Sequence, residues 1–255
     1  MRVGLIGSGS MARAMARGWG DPVLCSDSGS GRAQALAEEL GGRATGNAEV
    51  AAEADLVILC HKPYQLNQVA DEIADQVKAV VSVLGGVPTG RLSSAYRGAQ
   101  VFRLIPNTPV EVRRGVSVYA PHSGQNGYTI DLELERQVLT LFERLGSVVT
   151  IDESLLGVAT GVSSVGPAYQ ALLAEAQVDA AVRHGIKPAL AAQLVADTMS
   201  GTAELLRTRG YDTLRVRREV TSPGGSTARG LDALERAGIR AAFSDAMDSV
   251  LQVAG

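Results

Sequence analysis

The sequence feature that most restricts the fold is a glycine pattern directly behind the first apolar run. The chain opens with the run Val3–Ile6 and continues GSGSMARA from Gly7. A G-x-G-x-x-[GA] pattern between a strand and a helix is typical of dinucleotide-binding folds, because its glycines allow a tight turn and a close approach of phosphate to backbone N–H groups. The pattern predicts that a dinucleotide contacts Gly7, Gly9, Ser10 and Met11 at the start of the first helix.

The residues up to Asp152 alternate short apolar runs with helical patterns. Strands that alternate with helices predict βαβ units and a mostly parallel sheet covered on both faces, so residues 1–152 are assigned to a Rossmann-type domain. The predicted strands are Val3–Ile6, Pro22–Ser26, Leu56–Cys60, Ala79–Val83, Val101–Ile105, Val116–Ala120 and Val148–Ile151. The predicted helices are Met11–Gly18, Arg32–Leu40, Asn47–Ala54, Tyr64–Val77 and Leu132–Leu145.

After Asp152 the strand signals stop and the pattern becomes helical. Two long helices are expected at Leu155–His184 and Ala189–Arg207, and two shorter ones at Ala228–Ala237 and Arg240–Val253. These segments carry many small residues and few large ones, with an apolar stripe at helical spacing. We expect residues 153–255 to form an all-helical dimerisation domain that packs against another copy of the chain.

The composition excludes several classes of function. The formal net charge is -3, and the arginine clusters are short and interrupted, so neither nucleic acid nor an anionic membrane is an expected partner. No stretch approaches the ~18 consecutive apolar residues of a membrane span. The two cysteines, Cys25 and Cys60, are expected to be buried thiols, and the three histidines lack metal-ligand spacing. We expect a cytoplasmic protein without a metal site.

The end of the second predicted strand carries groups that distinguish NADH from NADPH. Asp27 stands where an acidic residue can bind both ribose hydroxyls and favour NADH. Ser26, Ser28, Ser30 and Arg32 crowd the same turn and could instead hold a 2′-phosphate. The sequence leaves the choice between NADH and NADPH open.

Two further strand ends carry candidate cofactor contacts. The segment CHKPY begins at Cys60, and RLIPNTP begins at Arg103. Ligands of open α/β sheets lie beyond the carboxyl ends of the strands, which makes Lys62, Pro63, Asn107 and Thr108 candidate contacts. His61 could be an acid or base, but a histidine at a strand end is more often a hydrogen-bonded structural residue, and we favour that interpretation.

The segment VTSPGGSTARG, from Val220, places hydroxyls and two glycines at the start of a helix. Gly224 and Gly225 are expected to expose backbone N–H groups, and Ser226 or Thr227 to cap the helix. Such a turn suits a carboxylate, although on sequence alone an ordinary helix cap explains it equally well.

The motifs GSGSMARA, HKP, RLIPNTP, GVSSVGPAY and VTSPGGSTARG follow one another along nearly the whole chain. In this order and spacing the chain resembles the pyrroline-5-carboxylate reductases. The resemblance implies a Rossmann domain followed by a helical dimerisation domain, dimers that assemble further into decamers, and reduction of the cyclic imine pyrroline-5-carboxylate to proline with NADPH or NADH. It also implies that Ser222 and Thr227 contact the substrate, with Thr227 near the ring nitrogen. The implied substrate site comprises Ser222, Gly224, Gly225, Ser226, Thr227 and Val165.

The chain departs from the family pattern in two places. Ser164 stands where the family usually has a glycine, and Val165 where a small hydroxyl residue is usual. The added apolar bulk leaves two outcomes open: a site that still makes proline, or one that takes a different cyclic imine in specialised biosynthesis. Asp27–Ser28 replaces a common Asn–Arg pair, which puts the usual preference for NADP in doubt.

Three rival interpretations fit the sequence less well. A β-hydroxyacid dehydrogenase would need a lysine on the first long helix, and Leu155–Gly185 contains none. Imine reductases lack the SPGG element. A non-catalytic dinucleotide sensor would show a degraded loop, whereas TSPGGST is intact.

Overall fold

The computed structural model describes residues 1–122 and 129–253, and eight strands in this part of the chain form one sheet. The strands are β1 Val3–Ile6, β2 Leu24–Ser26, β3 Arg43–Ala44, β4 Leu56–Leu59, β5 Ala79–Ser82, β6 Gln100–Pro106, β7 Gly115–Ala120 and β8 Gly146–Thr150. Their order across the sheet is β3-β2-β1-β4-β5-β6-β7-β8. Strands β1 to β6 run parallel, while β7 pairs antiparallel with β6 and parallel with β8. The predicted mostly parallel Rossmann sheet is confirmed.

The sheet reverses its strand order beside β1, because β2 lies on one side of it and β4 on the other. Connections leave toward opposite sides at this position and open a crevice at the carboxyl ends of the strands, where open α/β sheets bind ligands. The glycine segment follows β1 at this crevice.

Twelve α-helices are found among the described residues. They are α1 Ser10–Trp19, α2 Arg32–Leu40, α3 Asn47–Glu53, α4 Leu66–Ile73, α5 Thr89–Ala95, α6 Leu132–Glu143, α7 Leu156–Ser163, α8 Gly166–Arg183, α9 Pro188–Thr208, α10 Thr213–Glu219, α11 Ser226–Arg236 and α12 Ile239–Val253. Short 3-10 helices lie at Pro63–Gln65, Thr108–Val112 and Glu153–Leu155.

The core has two layers because apolar side chains leave both faces of the sheet. One layer joins the sheet to α1, α2 and α6 and includes Met15, Leu36 and Phe142. The other joins it to α3, α4 and α5. The indole of Trp19 packs edge-on against Phe142 and donates a 2.9 Å hydrogen bond to the carbonyl oxygen of Leu141, which ties α1 to α6.

The structure divides the predicted helix Leu155–His184 into α7 and α8. The interruption falls at Ser164 and Val165, immediately before Gly166 and Pro167. Proline has no N–H to donate within a helix and disfavours helical conformation in the residue before it, so a new helix starts there. The prediction of one continuous helix was therefore wrong.

Other differences concern short elements. Strand β3 has two residues, and α5 and α10 have seven each, so none of them shows a clear period in the sequence. The predicted helix Tyr64–Val77 is a 3-10 turn followed by α4.

The chain divides into two compact units, Met1–Pro167 and Ala168–Val253. Helix α7 belongs to the first, because Leu156 packs with Ile105, Val118 and Ala120 of the sheet. The second unit contains most of α8 together with α9 to α12, and within it Tyr169 packs edge-on against Phe243. Among the helices of both units in the described residues, none is long and apolar enough to cross a membrane.

Candidate active site

The start of α1 forms a cradle of backbone N–H groups. Gly7 has a φ of +95°, and a Cβ at this residue would lie 2.7 Å from the backbone nitrogen of His61, so only glycine fits. Gly9 is the N-cap of α1, and nothing lies within 4 Å of the position that its Cβ would take. In the described part of the chain, no group accepts a hydrogen bond from the first three N–H groups of α1. The cradle therefore fits the phosphates of a dinucleotide.

A cleft of about 480 Å³ opens beside this cradle, at the carboxyl ends of β1, β2 and β4. It brings together five of the residues predicted to contact the cofactor: Gly7, Gly9, Asp27, Ser28 and Lys62. The other predicted contacts, Ser10, Met11, Ser26, Pro63, Asn107 and Thr108, do not line it.

Asp27 is the centre of the turn between β2 and α2. Its Oδ1 accepts hydrogen bonds from the backbone N–H groups of Gly29 at 2.8 Å and Ser30 at 3.2 Å. Its Oδ2 accepts from the Ser30 hydroxyl at 2.7 Å and from the backbone N–H of Ala33 at 3.0 Å. Burial acts to raise the pKa of Asp27, but these hydrogen bonds outweigh it and lower the pKa to about 2. The carboxylate is thus ionised and already has four donors.

Ser26 is buried and does not line the cleft. Its hydroxyl is buried and donates a 2.6 Å hydrogen bond to Oδ1 of Asn47, while its carbonyl oxygen accepts from the hydroxyl of Ser8 at 2.9 Å. The Asn47 amide donates in turn to Glu72 at 2.6 Å. Ser26 therefore holds the ends of the strands together.

The HKP segment places one titratable ring and one cation at the cleft. Nδ1 of His61 donates to the carbonyl oxygen of Lys62 at 2.9 Å, and burial lowers the pKa of His61. The ring is therefore a hydrogen-bonded, neutral group near pH 7, as favoured from the sequence. Lys62 is exposed on the cleft wall, and Cys60 beside it is a free thiol whose pKa is raised by burial.

The PNTP segment follows β6, and its asparagine is enclosed by protein. Oδ1 of Asn107 accepts from the backbone N–H of Val116 at 2.8 Å, and its Nδ2 donates to the carbonyl oxygen of Ser163 at 3.0 Å. The side chain therefore anchors the end of α7 to the sheet. Thr108 starts a 3-10 helix and is exposed.

The junction between α7 and α8 carries the residues that depart from the family pattern. The Oγ of Ser164 is buried and has no hydrogen-bond partner among the described residues. Val165 is half-buried, and its backbone N–H reaches the carbonyl oxygen of Thr160 at 3.4 Å. The junction offers an apolar side chain where the family usually has a hydroxyl.

The SPGG segment is a tight turn between α10 and α11. Gly224 has a φ of +67°, and the backbone N–H of Gly225 donates to the carbonyl oxygen of Ser222 at 3.0 Å. This N–H group is closed within the turn, so the expectation that Gly225 exposes it was wrong. The carbonyl oxygen of Gly224 accepts a 2.7 Å hydrogen bond from Arg229.

Helix α11 begins at Ser226 and its N-cap is Gly225, so the predicted side-chain cap by Ser226 or Thr227 was wrong as well. The glycine takes an extended conformation, with φ -71° and ψ 176°, and has no hydroxyl to cap with. No described residue accepts a hydrogen bond from the N–H groups of Ser226, Thr227 and Ala228. Three free N–H groups and the exposed hydroxyls of Ser222, Ser226 and Thr227 therefore surround one helix start, a donor set for an anion.

Sequence reasoning missed part of the cleft wall, in particular Asn47, Gln65 and Glu72. Asn47 follows β3, and a clear strand signal would have marked it as a residue at the carboxyl edge of the sheet. The two-residue length of β3 removed that signal.

The chain has relatives along its whole length. A family model described as pyrroline-5-carboxylate reductase dimerisation matches residues 153–255, and one described as NADP oxidoreductase, coenzyme F420-dependent, matches residues 2–86. The pyrroline-5-carboxylate reductase of Methanosarcina acetivorans is 33% identical over 96% of this chain and 94% of its own. That of Thermus thermophilus is 34% identical over 98% and 95%.

The chain belongs to the pyrroline-5-carboxylate reductase family. Solved structures agree: those of the pyrroline-5-carboxylate reductases from Coxiella burnetii and Streptococcus pyogenes superpose with TM-scores of 0.85 and 0.88. They are 27% and 28% identical to the chain and cover 99% and 100% of it, and the chain covers 97% and 98% of them.

Family membership confirms the predicted fold class. The chain is an oxidoreductase that uses a nicotinamide dinucleotide, as the glycine pattern predicted. The match to the family model for dimerisation also supports a role of residues 153–255 in oligomerisation.

Proposed function

We propose that this pyrroline-5-carboxylate reductase reduces L-pyrroline-5-carboxylate to L-proline, the last step of proline biosynthesis. One NAD(P)H and one proton are consumed: a hydride adds to the C=N carbon, and the proton ends on the ring nitrogen. The dinucleotide would supply that hydride when bound. The observation that carries the proposal for this chain is the donor set at the start of α11, because the substrate is a small ring whose only charged acceptor group is a carboxylate.

The α1 cradle and the cleft beside it would hold the dinucleotide. Gly7 and Gly9 shape the cradle, the N–H groups of Ser10 and Met11 face the phosphates, and Lys62 adds a positive charge. Pro63 would fix the 3-10 turn behind Lys62, and Thr108 would offer its exposed hydroxyl. Asn107 and Ser26 would act through the backbone that their side chains position.

The turn before α11 would hold the substrate. The N–H groups of Ser226 and Thr227 would bind the carboxylate, and Gly224 makes the turn possible through its positive φ. The Ser222 hydroxyl would orient the ring, and Thr227 Oγ1 would hold a proton at the ring nitrogen. Catalysis is then mainly a matter of orientation, since no covalent nucleophile is needed.

Val165 bears on the choice of substrate. A valine removes a hydroxyl from the α7–α8 junction, which would favour a less polar ring than the family substrate. The relatives, each named for pyrroline-5-carboxylate, support the family substrate over another cyclic imine or a non-catalytic sensor.

The test is steady-state kinetics with purified protein. Wild-type enzyme is expected to oxidise NADPH or NADH only when pyrroline-5-carboxylate is added, and to prefer it over a panel of other cyclic imines. Thr227→Ala should lower kcat/KM by about tenfold to a hundredfold, because one positioned hydrogen bond is lost. The matched control is Thr213→Ala, an exposed threonine in the first turn of α10, which should leave kcat/KM unchanged.

Two results would count against these roles. Full activity in Thr227→Ala would remove the hydroxyl from the mechanism. A faster reaction with an imine that lacks a carboxylate would contradict the assignment of pyrroline-5-carboxylate as the substrate.

Assembly and location complete the proposal. We infer a homodimer through residues 153–255, further assembly into decamers, and a cytoplasmic enzyme without nucleic-acid or membrane partners. Light scattering of the purified protein measures its mass and so tests both the dimer and the decamer.

A further inference from the structure

NADPH and NADH differ only in the 2′-phosphate of the adenosine ribose, and in folds of this type the ribose binds near the end of the second strand. An acidic residue at the end of β2 favours NADH when its carboxylate is free to accept both ribose hydroxyls. Asp27 has this position in the chain but not this freedom. Each of its oxygens accepts two hydrogen bonds from the turn itself.

A carboxylate offers about four acceptor positions, so Asp27 is saturated. To bind a ribose it would have to release donors from Gly29, Ser30 or Ala33 and leave N–H groups of the turn unpaired. The same hydrogen bonds fix the turn and spread the charge of the carboxylate over several N–H dipoles. The repulsion that an unpaired aspartate would exert on a phosphate is correspondingly reduced.

The donors that remain in this turn belong to two exposed residues. The Ser28 hydroxyl and the Arg32 guanidinium line the cleft, and no described residue forms an ion pair or side-chain hydrogen bond with either. The Ser30 hydroxyl is already donated to Asp27. Two other charged residues line the cleft outside this turn: Lys62, which follows β4, and Glu72, which accepts a hydrogen bond from Asn47. Arginine matches a phosphate well, because its planar fork donates two parallel hydrogen bonds.

We propose that Asp27 organises the turn rather than binding ribose, and that Ser28 and Arg32 bind the 2′-phosphate, so that the enzyme selects NADPH. Arg32 is the residue that determines this selectivity. The inference rests on the proposed function only where turnover is measured, since the same turn must distinguish nucleotides in the absence of any imine.

The first test uses two nucleotides that differ only in the 2′-phosphate, namely 2′,5′-ADP and 5′-AMP, with binding measured by calorimetry on the full chain. Wild-type protein should bind 2′,5′-ADP the more tightly. Arg32→Gln should weaken the binding of 2′,5′-ADP by about tenfold or more and that of 5′-AMP by less than about twofold. The matched control is Arg91→Gln, an exposed arginine on α5 outside the cleft, which should change neither.

The second test measures kcat/KM for NADPH and NADH with pyrroline-5-carboxylate. Arg32→Gln should lower the kcat/KM for NADPH relative to that for NADH by about tenfold. Ser28→Ala should lower the same ratio by a smaller factor. Asp27→Asn should keep kcat/KM for NADH within about threefold of wild type, because no ribose hydroxyl depends on the carboxylate.

The outcomes separate the two proposals. Equal binding of 2′,5′-ADP by Arg32→Gln and wild type would overturn the role of Arg32, and a loss of NADH use beyond tenfold in Asp27→Asn would overturn that of Asp27. No turnover of pyrroline-5-carboxylate by the wild type with either dinucleotide would overturn the proposed function and leave the binding result standing.

Discussion

The two units of this reductase bury their side chains to very different extents. In Met1–Pro167, the strands and the helices against them place Leu5, Ile58 and Phe142 almost wholly out of solvent. In Ala168–Val253, helices α8, α11 and α12 contain no buried side chain among the described residues, and α9 contains only Ala191. The first unit therefore completes its core within one chain, whereas the second does not.

The second unit leaves large apolar side chains in solvent. Leu172 of α8 is 63% exposed, and Leu190 and Leu194 of α9 are about half exposed. An apolar surface of this kind marks an interaction site in a globular protein. Since the family model of this region is one of dimerisation, we propose that the chain carries one core of its own and contributes these side chains to a second core shared with another copy.

The largest effect is expected from a charge placed on this shared surface. If Leu194 lies in the proposed dimer interface, Leu194→Asp should convert the dimer to monomers and lower kcat/KM at least about a hundredfold, because a leucine buried there would contribute about 2 kcal/mol per copy and an unpaired carboxylate would cost several more. Light scattering reports the mass. Trp19, the only tryptophan, lies in the first unit, so its fluorescence should still show a folded first unit while far-UV circular dichroism shows early loss of helix.

The control for this variant is an even more exposed leucine of the first unit. Leu132 of α6 is 70% exposed, and Leu132→Asp should leave mass and activity unchanged. Dissociation by Leu132→Asp with an intact dimer in Leu194→Asp would mean that the shared core lies elsewhere.

A pair of glycines offers a smaller but cleaner comparison of the two units. Gly7 and Gly185 have φ values of +95° and +94°, so alanine is strained by about 1–2 kcal/mol at both. Only at Gly7 would the new Cβ meet backbone atoms, the nearest at 2.7 Å, whereas nothing lies within 4 Å at Gly185. Gly7→Ala should therefore cost about 1–3 kcal/mol more than Gly185→Ala in the free energy of unfolding, measured with denaturant. Equal losses would show that crowding at Gly7 is relieved by backbone movement.

Much of the first unit could be predicted from the sequence because its strands are short, apolar and separated by helical patterns. Strand β1 and helix α2 have the predicted bounds, Val3–Ile6 and Arg32–Leu40. The helical unit was harder, because α7 and α8 are both rich in small residues and only Gly166 and Pro167 signal the interruption between them. The two-residue strand β3 and the seven-residue helix α10 show no clear period in the sequence.

The sequence predicted site residues whose role depends on backbone conformation better than those whose role depends on the hydrogen-bond partners of a side chain. Gly7 and Gly9 follow from glycine positions alone, whereas the start of α11 was expected to be capped by Ser226 or Thr227 and is not. The roles of Asp27 and Asn107 do not follow from the sequence, since hydrogen bonds within a turn or across to α7 decide whether a polar group is available to a ligand. Sequence identifies such a residue as polar but does not say which groups it already binds.

The smallest expected effect compares two aspartates that hold turns, one in each unit. Asp27 accepts four hydrogen bonds, and its pKa of about 2 lies below the ordinary value of about 3.9, so it stabilises the fold above about pH 4 and loses that contribution as the pH falls through 2. Asp212 caps α10 through one bond to the backbone N–H of Arg215 at 2.9 Å, and asparagine caps a helix about as well as aspartate. Asp27→Asn should therefore lower the free energy of unfolding by about 1–2 kcal/mol at pH 7 and flatten its pH dependence between pH 4 and 2. Asp212→Asn should lower it by less than about 0.5 kcal/mol. Trp19 fluorescence follows the unfolding of both variants. Equal costs for the two variants would mean that the hydrogen bonds to Asp27 add nothing beyond an ordinary cap.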